Sequence, residues 1–136
     1  MPATPVTSLT ILPSASRADT NSVDYVNKKY IGAEFIVQQT AQGSTTAFVS
    51  VKVQGKIPGT TSYYTVGTIT PATSATFSKR MKIYPGASTA LDSTGLQPAP
   101  APYAVNDYLP AIWRISSTNV STSAVTYSVS VNLYGA

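Results

Sequence analysis

At 136 residues, with 43% hydrophobic and only 10% charged side chains and a formal net charge of +4, the chain fits a single domain around one core. It has no histidine and no cysteine, and its acids (Asp19, Asp24, Glu34, Asp92, Asp107) stand singly, which removes the usual general bases, thiol nucleophiles, disulfides and local metal clusters. Nine Lys and Arg spread along the chain fall short of a nucleic-acid footprint, and no apolar run approaches the ~18 residues that would cross a membrane.

The chain opens on Met1-Pro2-Ala3-Thr4-Pro5, without the basic and apolar regions of a signal peptide, so a soluble protein that is not exported this way is expected. Residues 1–27 are rich in Thr, Ser, Pro and Ala and carry one apolar patch, Val6, Leu9, Ile11 and Leu12. This reads as an extended N-terminal arm that orders against a neighbouring subunit, the alternative being a frayed terminus or a plain first strand. Residues 28–136 form the expected folded domain. Strict alternation of apolar and polar residues then predicts strands at Ala47–Gln54 and Ala124–Tyr134, and around Phe77, Met81 and Ile83. Stretches rich in β-branched and aromatic residues add Ile31–Gln39, Ser62–Ile69 and Ala111–Ser117. Turn residues fall between them, at Gln42-Gly43-Ser44, Ile57-Pro58-Gly59-Thr60 and Thr70-Pro71-Ala72.

Short strands punctuated in this way predict an all-β fold, a single antiparallel β-sandwich or barrel-like domain. One long loop interrupts it, Pro85 to Pro110, with prolines at 85, 98, 100, 102 and 110. Within it, Pro98-Ala99-Pro100-Ala101-Pro102 favours an extended polyproline conformation, stiff enough to lie across a neighbour's surface at low entropic cost.

The expected core includes Val49, Val51, Val53, Trp113, Ile115, Val129 and Val131, all on single strand faces. Lys79, Arg80 and Lys82 form the densest basic cluster, with Lys79 interrupting the apolar face of its strand and the other two on the polar face. A solvated strand that discourages edge-to-edge aggregation accounts for them, as does attraction to an acidic partner. Lys28 and Lys29 beside Tyr25 and Tyr30 are too few for a nucleic-acid site. Nine tyrosines against three phenylalanines and one tryptophan favour a binding surface. Tyr63-Tyr64 and Tyr103 with Tyr108 could line a sugar-binding face, though one of Tyr63 and Tyr64 is expected to point into the core. Ser50 and Lys52 share a strand face, as any polar face of a sheet provides, so no catalytic dyad is read from them. No enzymatic activity, cofactor or metal is expected.

Three groups of segments in order, Val51-Lys52-Val53-Gln54-Gly55-Lys56 with Tyr63-Tyr64-Thr65, then Ile83-Tyr84-Pro85-Gly86, then Leu109-Pro110-Ala111-Ile112-Trp113-Arg114 with Thr126-Tyr127-Ser128-Val129, resemble small tailed-phage virion proteins. The stretch from Tyr30 to Tyr134, apart from the proline-rich loop, is similar to head decoration or cement proteins, β-rich subunits on the outside of HK97-like capsids. The resemblance implies a subunit made in the bacterial host cytoplasm and placed on the outer surface of the phage head. Its implied partners are the major capsid protein and further copies of itself, as a homodimer or homotrimer at a capsid symmetry axis. Candidate contacts are Val6, Leu9, Ile11 and Leu12 of the arm, Lys79, Arg80 and Lys82, and Pro98, Pro100, Pro102 and Tyr103 of the loop. The alternatives are a tail or head–tail connector component, and, from a different class, a carbohydrate-binding β-sandwich module.

Overall fold

The computed structural model describes residues 6–27, 29–45, 47–69, 76–86, 103–119 and 123–135. Nine strands run β1 (Val6–Arg17), β2 (Asn21–Val26), β3 (Tyr30–Gln42), β4 (Val49–Lys56), β5 (Tyr63–Ile69), β6 (Phe77–Ile83), β7 (Tyr103–Val105), β8 (Ile112–Asn119) and β9 (Val125–Gly135). They build two sheets, β1-β9-β3-β6-β7 and β2-β8-β4-β5. Every pairing is antiparallel except β6 with β7, which is parallel. The sheets face each other as a sandwich and do not close into a barrel.

Alternation decides which face of each strand is inside. Val125, Tyr127, Val129, Val131 and Leu133 of β9 are buried while the residues between them are half-exposed, and β4 repeats this with Val49, Val51 and Val53. Trp113 and Ile115 of β8 complete the expected core, and Met81 and Ile83 of β6 with Ala33, Phe35 and Val37 of β3 extend it. The sheets are tied by Trp113, which meets Phe35 edge-on at 5.6 Å between ring centroids, and by a 2.5 Å hydrogen bond between the Ser117 and Tyr127 hydroxyls. The buried Gln39 side chain accepts from the Val49 backbone N–H at 3.2 Å, which satisfies both groups away from water. Close approach of the sheets also explains Gly67, where an added Cβ would lie 2.7 Å from the Met81 sulfur.

The N-terminal segment departs from the expected arm. Residues 6–26 are strands β1 and β2, the plain-strand alternative, laid along opposite sheets as edge strands paired with β9 and β8. The reason lies in two register shifts in β1, between Thr10 and Leu12 and between Leu12 and Ala15. A regular strand would send Ile11 and Leu12 to opposite faces, but a bulge lets both turn inward, and both are buried in the chain's own core. Residues 1–5 lie outside the described residues. The long loop is also shorter than expected, because Tyr103–Val105 pairs with Met81–Ile83 as β7 and Leu109 is buried. The stretch 87–102, with Pro98, Pro100 and Pro102, lies outside the described residues.

Candidate interaction surface

At one end of the sandwich β2, β4, β6, β7 and β9 finish and β1, β3, β5 and β8 begin. Backbone hydrogen bonds close this end: Asn27 N–H to Ala111 O at 2.8 Å extends the β2–β8 pair, Tyr84 N–H to Val105 O at 3.0 Å extends the β6–β7 pair, and Leu109 N–H to Ile31 O at 3.0 Å links the segment before β8 to β3 of the other sheet. Asn27 reinforces the seam, its amide donating to Tyr30 O and Leu109 O while its oxygen accepts from the Tyr30 N–H. Gly32 is required at this seam, since a Cβ would sit 2.7 Å from the Ile83 carbonyl oxygen and 3.0 Å from the Tyr84 ring.

This rigid end carries every large exposed apolar side chain of the described residues. Val26 (69% exposed) ends β2, Ile57 and Tyr64 flank the β4–β5 turn, Tyr84 follows β6 and Tyr108 (66% exposed) precedes β8. Most protein surfaces scatter such groups singly, so their collection at one end makes it the candidate interaction surface. Tyrosine suits such a site because it buries a large ring while its hydroxyl keeps a hydrogen bond. Four of the segments behind the virion-protein resemblance, ending at Lys56 or beginning at Tyr63, Ile83 and Leu109, meet here.

Two further features border this end. A cleft of about 260 Å³ opens between the edge strands β1 and β2, lined by Thr7, Leu9, Tyr25, Val26, Asn27, Lys29, Tyr30, Trp113 and Leu133. Its floor is the Tyr25–Trp113 stack, with ring centroids 4.5 Å apart and planes 16° from parallel. On the outer face of the four-stranded sheet, Arg114 binds Asp24 through two hydrogen bonds of 2.6 and 3.3 Å and lies 3.7 Å over the Tyr63 ring. The Tyr63 hydroxyl donates to the same carboxylate at 2.7 Å. The Arg114 bond, then the Tyr63 bond, hold Asp24 below its ordinary pKa; the bond to Asp24 raises both Tyr63 and Arg114 above theirs. All three groups satisfy one another, so the cluster is a surface brace across β2, β8 and β5. Burial, followed by the nearby Glu34 charge, raises the Tyr134 phenol.

The sequence-derived candidates separate in space. Leu9 packs against the core at the cleft, and Ile11 and Leu12 are internal, so the apolar patch serves the fold. The backbone of Val6 pairs with Tyr134, and that of Tyr103 with Met81. Lys79 is 2% exposed, on the inner face as its register requires, with its ammonium 5.7 Å from the Phe77 ring centroid. Arg80 on the outer face forms an ion pair with Glu34 at 3.5 Å, while Lys82 is exposed. The basic cluster is therefore split between two faces. Neither Tyr63 nor Tyr64 is buried: Tyr64 does turn to the inner face, but opposite Gly55 at the rim, where it stays 45% exposed. Val26 and the cleft were not singled out in the sequence, and Ile57 and Tyr84 entered only as parts of a turn and of a resembling segment, not as contact residues. The signal for β2 was present in Ser22-Val23-Asp24-Tyr25, which alternates as a strand does. Among the described residues no group of three His, Cys, Asp or Glu could hold a metal ion.

No family model and no curated protein matches the chain. Among solved structures it is similar to a chain in the structure of infectious bursal disease virus Gx strain, at 12% identity and a TM-score of 0.37. The alignment covers 96% of this chain and 32% of that one, so this chain spans about a third of the other's length. At this level of similarity the match assigns no partner or role.

Proposed function

We propose that the chain is a structural virion subunit, a decoration or cement protein that binds the outside of a tailed-phage head and holds neighbouring capsomers together, without catalysis. The observation that carries this reading is the aromatic end: Ile57, Tyr64, Tyr84 and Tyr108 stand exposed where the segments that resemble virion proteins converge. A subunit of this kind needs a rigid body with one adhesive face, and a low charge density lets that face desolvate at little cost. Repetition on an icosahedral shell lets modest individual contacts hold collectively. The partner is the major capsid protein, and the site of action is the outer head surface after synthesis in the bacterial host cytoplasm.

Co-sedimentation with shells that lack the protein tests this reading. The exposed Tyr84 and Tyr108 can be changed together to Ser without touching the core, and the double variant should bind shells at least about tenfold more weakly, a loss of about 1.4 kcal/mol. Unchanged binding would remove the aromatic end from the contact. The same exposed rings favour a second reading, a carbohydrate-binding module that stacks sugars on tyrosine; glycan binding in the absence of any shell affinity would select it.

A further inference from the structure

We infer that the cleft between β1 and β2 receives the Pro98-Ala99-Pro100-Ala101-Pro102 segment of a second copy of this chain, joining copies head to tail. This inference does not depend on the virion reading.

The cleft has the character of a proline-rich peptide site. Tyr25 and Tyr30, both half-buried, give it aromatic lining over the buried Trp113, and Leu9, Val26 and Leu133 add apolar lining. Aromatic-lined grooves are the surfaces that take proline-rich segments, because a polyproline helix enters already ordered. Its backbone carbonyls have no internal partners, and two of the lining residues, Tyr25 and Lys29, carry donors of the kind they need. At about 260 Å³ the cleft is smaller than the 300–1,000 Å³ range of small-molecule sites, which suits inserted prolyl rings better than a free ligand. The chain supplies its own ligand sequence, with proline at alternate positions and no charge from Gly95 to Pro102. Lack of charge matters, since Lys29 is the cleft's one ionisable cation among its lining residues and no acid stands opposite it.

Topology decides between the chain's own segment and another copy's. The segment joins β7, at one edge of the five-stranded sheet, whereas the cleft opens at β1, the other edge. Four inter-strand steps separate them, about 19 Å across the sheet. Pro102, Pro100 and Pro98 lie one, three and five residues from Tyr103 and reach at most about 4, 11 and 18 Å from it, so the segment as a whole stays short of that edge. The segment cannot fill its own cleft, but a neighbour's is open to it. Because donor and acceptor lie on opposite edges, the contact is heterologous, and repetition produces a closed ring or an open chain of subunits.

Sedimentation of the full chain without capsids tests the inference. Val26, 69% exposed at the cleft, is changed to Asp to disable the acceptor, and Pro98, Pro100 and Pro102 are changed together to Ser to disable the donor. The wild type should sediment as a concentration-dependent multimer, and each variant as the 14.3 kDa monomer. An equimolar mixture of the two variants should form dimers and nothing larger, because it restores one intact donor–acceptor pair per two chains. A wild-type monomer at the highest soluble concentration, variants that assemble like wild type, or a mixture that stays monomeric would each overturn the inference.

Discussion

Replacement of Trp113 by Ala is the most direct probe of the core. The indole is 2% exposed, stacks on Tyr25 and meets Phe35 edge-on, so it links both sheets. Truncating a buried tryptophan costs about 3–5 kcal/mol, of which each ring pair contributes about 0.5–1.5 kcal/mol. Here the indole also borders the cleft, so water and the Tyr25 ring can enter the space left behind and reduce the penalty of an empty void. The lower part of the range, about 3–4 kcal/mol, is therefore expected. Against a typical total of about 5–15 kcal/mol this is a large fraction. Urea unfolding followed by far-ultraviolet circular dichroism measures it, since the variant lacks the only tryptophan. The midpoint should fall with the slope unchanged, and Trp113→Phe should lose less than half as much. A loss below about 1 kcal/mol in the Ala variant would refute the assignment of this β8 face to the core.

Two glycines should rank by what an added methyl meets. Gly32→Ala drives a Cβ against the Ile83 carbonyl, which is backbone, whereas Gly67→Ala meets the flexible Met81 side chain, so the first should destabilise by about 2–3 kcal/mol and the second by about 1 kcal/mol. Equal losses in thermal or urea unfolding would show that the sheet ends are not locked as described. Asp24 provides a pH test: its folded-state pKa lies below 3.8, so its contribution is present above that value and is lost as pH falls through the folded-state pKa. With its carboxylate 44% exposed the effect is about 0–1 kcal/mol, and Asp24→Asn should flatten the acid side of the stability profile by that amount. An identical acid slope in the variant would mean that the Arg114–Tyr63 brace adds nothing.

Six strands were legible in the sequence, β4, β6 and β9 from a period of two and β3, β5 and β8 from their β-branched and aromatic residues. β9 and β4 show the period without interruption, and the core valines, Trp113 and Ile115 stand where alternation puts them. β1 was legible only as the plain-strand alternative to an arm, because its two register shifts and Pro13 break the period and consecutive Ile11 and Leu12 read as an unpaired patch. β7 is three residues long and parallel, too short for any pattern to emerge. The interaction surface was half visible: an excess of tyrosine signalled binding, but only the topology brings Tyr64, Tyr84 and Tyr108, distant in sequence, to the same end. Charge was the weaker guide. Lys79 and Arg80 are neighbours in sequence, yet the pleat sends one into the sandwich and the other to Glu34 on the outer face.

The proposal that this sandwich is a head-surface subunit attached through its aromatic end is tested most directly by a cryo-EM map of the virion. The account predicts density for this chain in many symmetry-related copies on the outer shell, with Ile57, Tyr84 and Tyr108 turned toward the capsid. Density confined to the tail or to the head–tail vertex, or copies whose aromatic end faces solvent, would contradict it.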